Sequence, residues 1–490
     1  MTLATGLAQH LERPLARGHA PPGAHTGAAG GAACGDLIRV SLTLDPDTPD
    51  GRILDAGYDA SGCGATIAAG SAVVALLRET PLLEAALISP ETVAEELGGL
   101  IPAKRHAAEL AVDALHRALG SALRQASLVP VAGRTLVAMS GGVDSAVAAL
   151  LTVGVGDETV AVTLELWSDP ANDGDLSCCS AQAVRSARSL AHELGVPHFS
   201  IDLRAEFRAG VVQPWLTDHA AGLTPNPCVR CNGSVRLDAM LDLATRLGAR
   251  TLATGHYARI ERDEPALGPL LRAAVDPAKD QSYALSGLSP RSLQRMRFPL
   301  GELTKPEVRA LAQRAGLPVA RRRDSQDLCF LAGTRRTDFL ARHGSLGTQA
   351  GPILDRDGRL LGEHAGIHTV TVGQRRGLGS GSGLDRAGEP LYVLGTDHAS
   401  NTVTVGARNE LLTSTVCVRD TTLHRDGARV DAIKVRYRGA RLPCRLAAPA
   451  AAGEHAAIEV ELLEPAERTA PGQIACLYDG ERIVGHGTIV

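Results

Sequence analysis

Apolar and polar residues alternate from Leu37 to Leu44 and again from Arg52 to Tyr58, the two-residue period of strands with one buried face. Between Ala65 and Glu79 the chain is rich in Ala, Val and Leu, the content of a buried helix. Ser89–Leu97 and Lys104–Leu123 are further helical stretches, so residues 1–125 predict a compact α+β unit. The first 30 residues, full of Gly, Ala and Pro, predict a loosely ordered lead-in with one short helix at most. From Arg134 the pattern changes. TLVAM, AVAALLTV, TVAVTLEL, AQAVRSARSLAHEL, HFSIDL and RTLATGHYA alternate strand with helix, which predicts an α/β domain at 130–345 with a parallel sheet covered on both faces. Beyond residue 345, short apolar strands recur between Gly, Asp and Pro turns (HTVTVG, LYVLG, TVTVG, AIKVRY, AIEVELL, ACLYDG, RIVGHGTIV). They predict a small β-rich domain at 346–410 and a β barrel at 411–490.

At 490 residues the chain exceeds what one hydrophobic core supports, in keeping with a multidomain fold. It contains no run of about 18 apolar residues, and its first 30 lack the compact apolar stretch of a secretion signal. A cytoplasmic protein with no membrane partner is expected. Ten cysteines are too sparse for a secreted disulfide scaffold, so their spacing is read for chemistry. The net charge of −4 offers no global basic field, and any nucleic acid must be held by local patches.

LVAMSGGVDSAVAAL places Ser140, Gly141, Gly142, Val143, Asp144 and Ser145 between a buried strand ending at Ala138 and Met139 and a helix. Glycines let the backbone approach an anion, hydroxyls donate to phosphate oxygens, and the helix turns unpaired N–H groups toward the ligand. The plainer reading is a Gly-rich turn with a helix cap. The Gly-Lys-Ser/Thr ending of a Walker loop is absent. SGGVDS instead resembles the loop of the ATP pyrophosphatase (PP-loop) family, whose members split ATP between the α and β phosphates and pass AMP to an oxygen. The acceptor is left open by the loop.

Cysteines narrow that choice. TPNPCVRCN carries Cys228 and Cys231 after two prolines, and DSQDLCFLAG carries Cys329. Proline-fixed backbone makes a stiff loop suited to presenting a thiolate. A Cys-x-x-Cys pair is also half of a zinc site or a redox disulfide, though no second close pair occurs. Cys178, Cys179, Cys417, Cys444 and Cys476 read as ordinary small residues. SGGVDS, CCS at 178–180, TPNPCVRCN, ATGHYAR, KDQSY, FPLGELTKPEVR, DSQDLCF, TVGQRRGLG and APGQ follow the order of the tRNA-specific 2-thiouridylase family, which residues 133–490 resemble.

That resemblance implies a tRNA-uridine 2-sulfurtransferase: ATP and Mg2+ adenylate the uridine C2 oxygen at the wobble position, and sulfur from a cysteine desulfurase or sulfur carrier replaces it. By position, Cys231 resembles the catalytic nucleophile and Cys329 the cysteine that carries the persulfide or pairs with it. Ala138 to Ser145, Leu164 through its backbone, and Gly255 resemble nucleotide contacts. His256, Lys279, Asp280, Gln281, Tyr437, Arg438 and Gln473 resemble tRNA contacts, with Asn226, Pro227 and Cys228 the floor under the target base. Many members have Asp where this chain has Cys228. Three thiolates would suit a [4Fe-4S] cluster with one open iron, so a cluster on Cys228, Cys231 and Cys329 stands beside the persulfide reading.

In the N-terminal unit, AACGDLIRVSL and YDASGCGATIAAGSAVVALL resemble the U-type iron-sulfur scaffold family over residues 10–120. Cys34, Asp36 and Cys63 match ligand positions of that family. Its third cysteine should follow His106, where KRHAAELA has Ala107. Two Cys, Asp36 and His106 are competent ligands for zinc or a labile cluster, and a degenerate docking domain is the alternative. Rival functions are a PP-loop enzyme acting on another tRNA base or forming an amide, and a cluster carrier with a vestigial thiolase half. An intact SGGVDS loop counts against the carrier, which has no need to split ATP.

Overall fold

The computed structural model describes residues 5–30, 35–169, 180–322, 328–331, 333–347, 349–378 and 390–490. It divides into two compact units, one of residues 1–205, 239–256 and 295–330, the other of 206–238, 257–294 and 331–490.

The first unit begins with α1 (Thr5–Glu12) and an antiparallel sheet of β1 (His25–Gly30), β2 (Leu37–Leu44) and β3 (Ile53–Ser61), in that order. Ile38, Val40 and Leu42 point inward from β2 and are at most 2% exposed, which is the alternation the sequence carries. Against them lie α2 (Gly64–Leu77), α3 (Leu82–Ala85), α4 (Pro90–Glu96) and α5 (Arg105–Leu123). Ser89 and Thr92 close a capping box on α4, with Pro90 at its first position. The lead-in departs from expectation, because HTGAAG is a strand paired along its length with β2. Small residues hid it: a Cβ on Gly27 would sit 2.2 Å from the Ala114 carbonyl oxygen of α5, so the helix demands a strand without bulk.

The same unit holds the parallel sheet of β4 (Val131–Ala138), β5 (Glu158–Glu165), β6 (His198–Asp202) and β7 (Ala249–Thr254), with a two-residue strand at Met296–Arg297. The order runs Met296–Arg297, β7, β4, β5, β6. Helices α6 (Val143–Gly154) and α7 (Ala181–Glu193) provide crossovers. Since β5 lies on one side of β4 and β7 on the other, the strand order reverses at β4. Ligands of open α/β sheets bind at the carboxyl ends of strands beside such a reversal.

The second unit carries the helices Gln213–Ala220, Pro227–Arg230 and Arg336–Gly344 and two β structures. A four-stranded sheet runs Leu360–His364, Gly351–Leu354, Thr402–Gly406, Tyr392–Asp397, around Ile353, Val393, Val403 and Val405. HTVTVG, expected as a strand, forms instead a single tight turn at Ile367–Thr369, where the Thr369 hydroxyl donates to the Gly366 carbonyl and Val370 tucks inward. The barrel orders its strands Leu412–Leu423, Gly453–Glu467, Leu442–Leu446, Ala432–Lys434, Ile474–Asp479, Arg482–Ile489. Its last strand pairs back with its first, which closes the sheet around Val418, Ile433, Val460, Leu477 and Val484. Leu270–Arg272 and Arg259–Glu261 extend it by two short strands.

The barrel half-buries His424 beside His486, ring centroids 6.0 Å apart, and next to Arg425. Burial first, then these cationic neighbours, lowers the His424 pKa to about 4. The unfolded chain therefore binds the extra proton between about pH 6.5 and 4, and folding stability falls as pH drops through that window. Thermal melts should show a loss on the order of 1–3 kcal/mol across it. A His424→Gln variant should show a flatter profile.

Candidate functional site

The SGGVDS loop leaves the carboxyl end of β4 at the sheet's reversal point. Met139 donates its N–H to the Val162 carbonyl, and the Thr163 hydroxyl donates to the Met139 carbonyl, so both ends of the turn are fixed by β5. Gly141 has φ +71°, a left-handed conformation that glycine adopts without strain. Ser145 ties the loop together: its hydroxyl accepts from the Ser140 N–H at 3.1 Å and donates to the Gly142 carbonyl at 3.0 Å. Gly142 is the N-cap of α6 and has no side chain to cover the first N–H groups, leaving the amide cradle that an anion needs. Gly255, just past β7, packs on this turn so closely that a Cβ would lie 2.8 Å from the Asp144 carbonyl carbon and the Ser145 nitrogen. Ala138, Met139 and Leu164 are buried beneath it.

Two cations that the sequence reading left without a role converge here. Lys305, at the start of the helix Lys305–Arg314, places its ammonium 2.8 Å from both carboxylate oxygens of Asp144, and Arg322 donates to the Gly141 carbonyl at 3.0 Å. Lys305 lies in the FPLGELTKPEVR segment, 161 residues from its partner, so only the fold reveals the pairing. His256 is held by the Thr254 hydroxyl at 2.8 Å from its Nδ1 and by the edge of Phe298. Cys329 opens a short turn whose next residue, Phe330, is buried edge-on to Trp167, two residues beyond β5. That anchors Cys329 to the carboxyl-terminal edge of the same sheet.

In the second unit the cysteine loop is built on its own supports. The Asn226 side chain accepts from the Cys228 N–H and Pro227 occupies the first helical position, so the helix Pro227–Arg230 starts at a fixed point. Cys231 follows, 8% exposed, one helical turn after Cys228. Burial pushes the Cys228 thiol pKa up, with Arg236 opposing. The Asn232 amide donates to the Ala284 carbonyl and the Gln473 amide to the Thr224 carbonyl, which fastens the loop to the KDQSY and APGQ segments. Gln281 clasps Tyr257 through its backbone N–H and its side-chain oxygen, and the Asp280 carboxylate accepts from Ala274, Ser282 N–H and the Ser282 hydroxyl. Asp280 and Gln281 are thus engaged in shaping the turn that carries Lys279. Tyr437, 39% exposed, lies with its ring 6.0 Å from that of Tyr283, and Lys434 sits over the same Tyr283 ring. Asn226, Pro227, Cys228, Cys231, Lys279, Tyr437, Arg438 and Gln473 therefore share one neighbourhood, to which Lys434 is an addition. Cys329 and His256 belong to the first unit.

A third constellation lies at the end of the N-terminal sheet. One ligand atom each of Asp36, Cys63 and His106 lies within 4.8 Å of the others. Asp36 accepts from the Thr66 hydroxyl at 2.6 Å and from the Cys63 N–H at 3.0 Å, and these bonds, Thr66 foremost, hold its carboxyl at about 2. His106 faces the Ala103 carbonyl through Nδ1 and Asp36 through Nε2 at 3.3 Å. Ala107 is fully buried, so the position where a third cysteine was expected adds nothing to this cluster. Cys34 lies outside the described residues, as do Cys178 and Cys179.

Family models match as a NifU-like N terminal domain at 5–126, a tRNA methyl transferase HUP domain at 133–333, a tRNA methyl transferase PRC-barrel domain at 337–407 and an aminomethyltransferase beta-barrel domain at 417–489. A "Bifunctional protein NifU/MnmA" of Rubrobacter xylanophilus is 43% identical over 98% of this chain and 97% of its own. The chain belongs to this NifU-fused branch of the tRNA-specific 2-thiouridylase family. Family members named tRNA-specific 2-thiouridylase MnmA, from Geobacter metallireducens and Beutenbergia cavernae, are 41% and 43% identical, each over 73% of this chain, and over 96% and 94% of their own length. Among the described residues of this thiouridylase no helix is long and apolar enough to cross a membrane.

The Gly255 contact gives a direct check. Gly255→Ala should force the Asp144–Ser145 backbone away and weaken ATP use on the order of 10²-fold, measured as kcat/KM for ATP, with little change in fold by circular dichroism.

Proposed function

We propose that the chain is an ATP-dependent tRNA-uridine 2-sulfurtransferase of the cytoplasm, giving 2-thiouridine at the wobble position together with AMP and pyrophosphate. The observation that carries the proposal is full-length kinship to a NifU/MnmA protein combined with the glycine cradle at the sheet's reversal point. The cradle amides of 140–145 grip the phosphates, the Leu164 backbone meets the base, and Gly255 supports the nucleotide site by packing against the turn. The uridine C2 oxygen attacks the α-phosphorus, the Pα–O bond to the β-phosphate breaks, and pyrophosphate leaves. Magnesium on the phosphates, with Asp144 as its protein ligand, would neutralise that leaving group. Lys305, now paired with Asp144, then turns to the phosphates, and Arg322 supports the turn beneath them.

The terminal sulfur of a persulfide on Cys329, loaded by a cysteine desulfurase or sulfur carrier, attacks C2 and AMP departs with the original oxygen. The Cys231 thiolate attacks the remaining S–S bond, which yields a disulfide and 2-thiouridine, and a thiol reductant resets the pair. Lys279, Tyr437, Arg438, His256 and Gln473 hold the RNA. For the N-terminal constellation we propose a zinc site of Asp36, Cys63 and His106, completed by Cys34. Its mixed sulfur, oxygen and nitrogen donors suit zinc, and it holds one cysteine fewer than a scaffold of three.

Mass spectrometry of tRNA nucleosides from cells lacking the protein should show 2-thiouridine derivatives gone and other thiolated bases intact. Loss of a different thionucleoside would defeat the assignment. Cys231→Ser and Cys329→Ser should stop thiolation, while Lys305→Ala should lower kcat/KM for ATP by about 10²-fold. Anaerobic reconstitution should give no cluster absorbance, and Cys228→Ala should retain activity. For the zinc site, Asp36→Ala or His106→Ala should weaken zinc binding at least about tenfold by competition with a chromogenic chelator, with tRNA binding unchanged.

A further inference from the structure

We infer that the NifU-like domain has a second role in this chain: α5 is a fixed wall of the adenylating domain, and its Arg117 is a positioning residue for the nucleotide end of β5. The positioning part rests on the proposal that residues 140–145 and Leu164 hold ATP.

Helix α5 is buried on more than one side. Of its 19 residues, 13 are buried, too many for a helix that covers only its own sheet. On one side it meets β1, where Gly27 approaches Ala114. Another side meets β6, where a Cβ on Gly120 would fall 1.9 Å from the Ser200 carbonyl oxygen. As an outer strand of the parallel sheet, β6 presents backbone that would otherwise invite foreign strands. The NifU-like domain covers that edge. Ala86 accepts from the His198 N–H, and the fully buried His116 faces the carbonyls of His198 and Ile88 through its two ring nitrogens, at 3.0 and 3.1 Å. His192 faces the Ala86 carbonyl at 3.0 Å, and Arg124 donates to the Asp202 carbonyl at 3.1 Å.

Charge seals the contact. Asp113 of α5 binds both Arg185 and Arg188 of α7, each at 2.6 Å, and Arg188 is 4% exposed. Separation of the domains would leave a buried guanidinium with no counter-ion, a state that water must enter to relieve. A swinging carrier would not be fastened this way. One turn along α5, Arg117 lies 4.0 Å from the Glu165 carboxylate, which is buried at the carboxyl end of β5, directly after Leu164. Arg117 also donates to the Ala28 carbonyl, so it ties β1 to the end of β5. His106 of the metal constellation lies about 16 Å back along the same rod. The thiouridylases of Geobacter metallireducens and Beutenbergia cavernae match over 73% of this chain rather than all of it.

Three variants of the full-length protein test the inference. Alanine forms helix better than glycine, so Gly120→Ala would strengthen an unconfined α5 and can weaken the protein only through the Ser200 contact. We expect Gly120→Ala and Asp113→Asn to lose amide-exchange protection in residues 181–202 while β2 and β3 keep theirs. Arg117→Ala should raise KM for ATP several-fold with kcat within about twofold, Arg117→Lys should restore most of it, and zinc content should stay unchanged. Undiminished protection of 181–202 in both interface variants overturns the wall, and an unchanged KM in Arg117→Ala overturns the positioning role. Failure of the wild-type chain to bind ATP in calorimetry would instead sink the nucleotide reading, with the exchange data still deciding the wall.

Discussion

A phosphate chain can be held by backbone N–H groups only where no side chain stands in front of them, and that requirement shapes the first unit. Gly141 takes the left-handed bend, Gly142 leaves the start of α6 uncovered, and Gly255 lets β7 press against the turn from behind. The parallel sheet supplies the place, because its strand order reverses at β4. Ser145 is spent on holding the loop's shape rather than on a ligand, since its hydroxyl already has two backbone partners. The Asp144–Lys305 pair holds two opposite charges together beside the loop.

The thiol loop of the second unit follows a different logic. Proline, an Asn cap and two side-chain amides fix a short helix whose second residue is Cys228 and which Cys231 directly follows. The KDQSY turn and the barrel segment around Tyr437 surround it with cationic and aromatic groups, the combination that suits an unstacked RNA base. Although the net charge is −4, positive groups are gathered locally here.

Kinship and structure together recast the N-terminal domain. Its buried Ala107 removes a thiol that a three-cysteine scaffold would need, while its longest helix is committed to the edge of the parallel sheet.

The order of elements, the SGGVDS loop, the Cys-x-x-Cys loop and the family itself were legible in the sequence, because each depends on residue types at short spacing. Hydrophobic period located β2, β3, α5 and the strands of the sheet and barrel. It failed at HTGAAG, whose small residues carry no period, and at HTVTVG, where the Thr369 hydroxyl closes a turn instead of extending a strand. Lys305 beside Asp144, the joining of His106 to Asp36 and Cys63, the pairing of Asp113 with two arginines and the need for glycine at 120 were decided only by tertiary structure. The physical reason is range. Local chemistry sets what a segment of ten residues can do, whereas a contact between groups 70 to 160 positions apart exists only after the chain has packed around it.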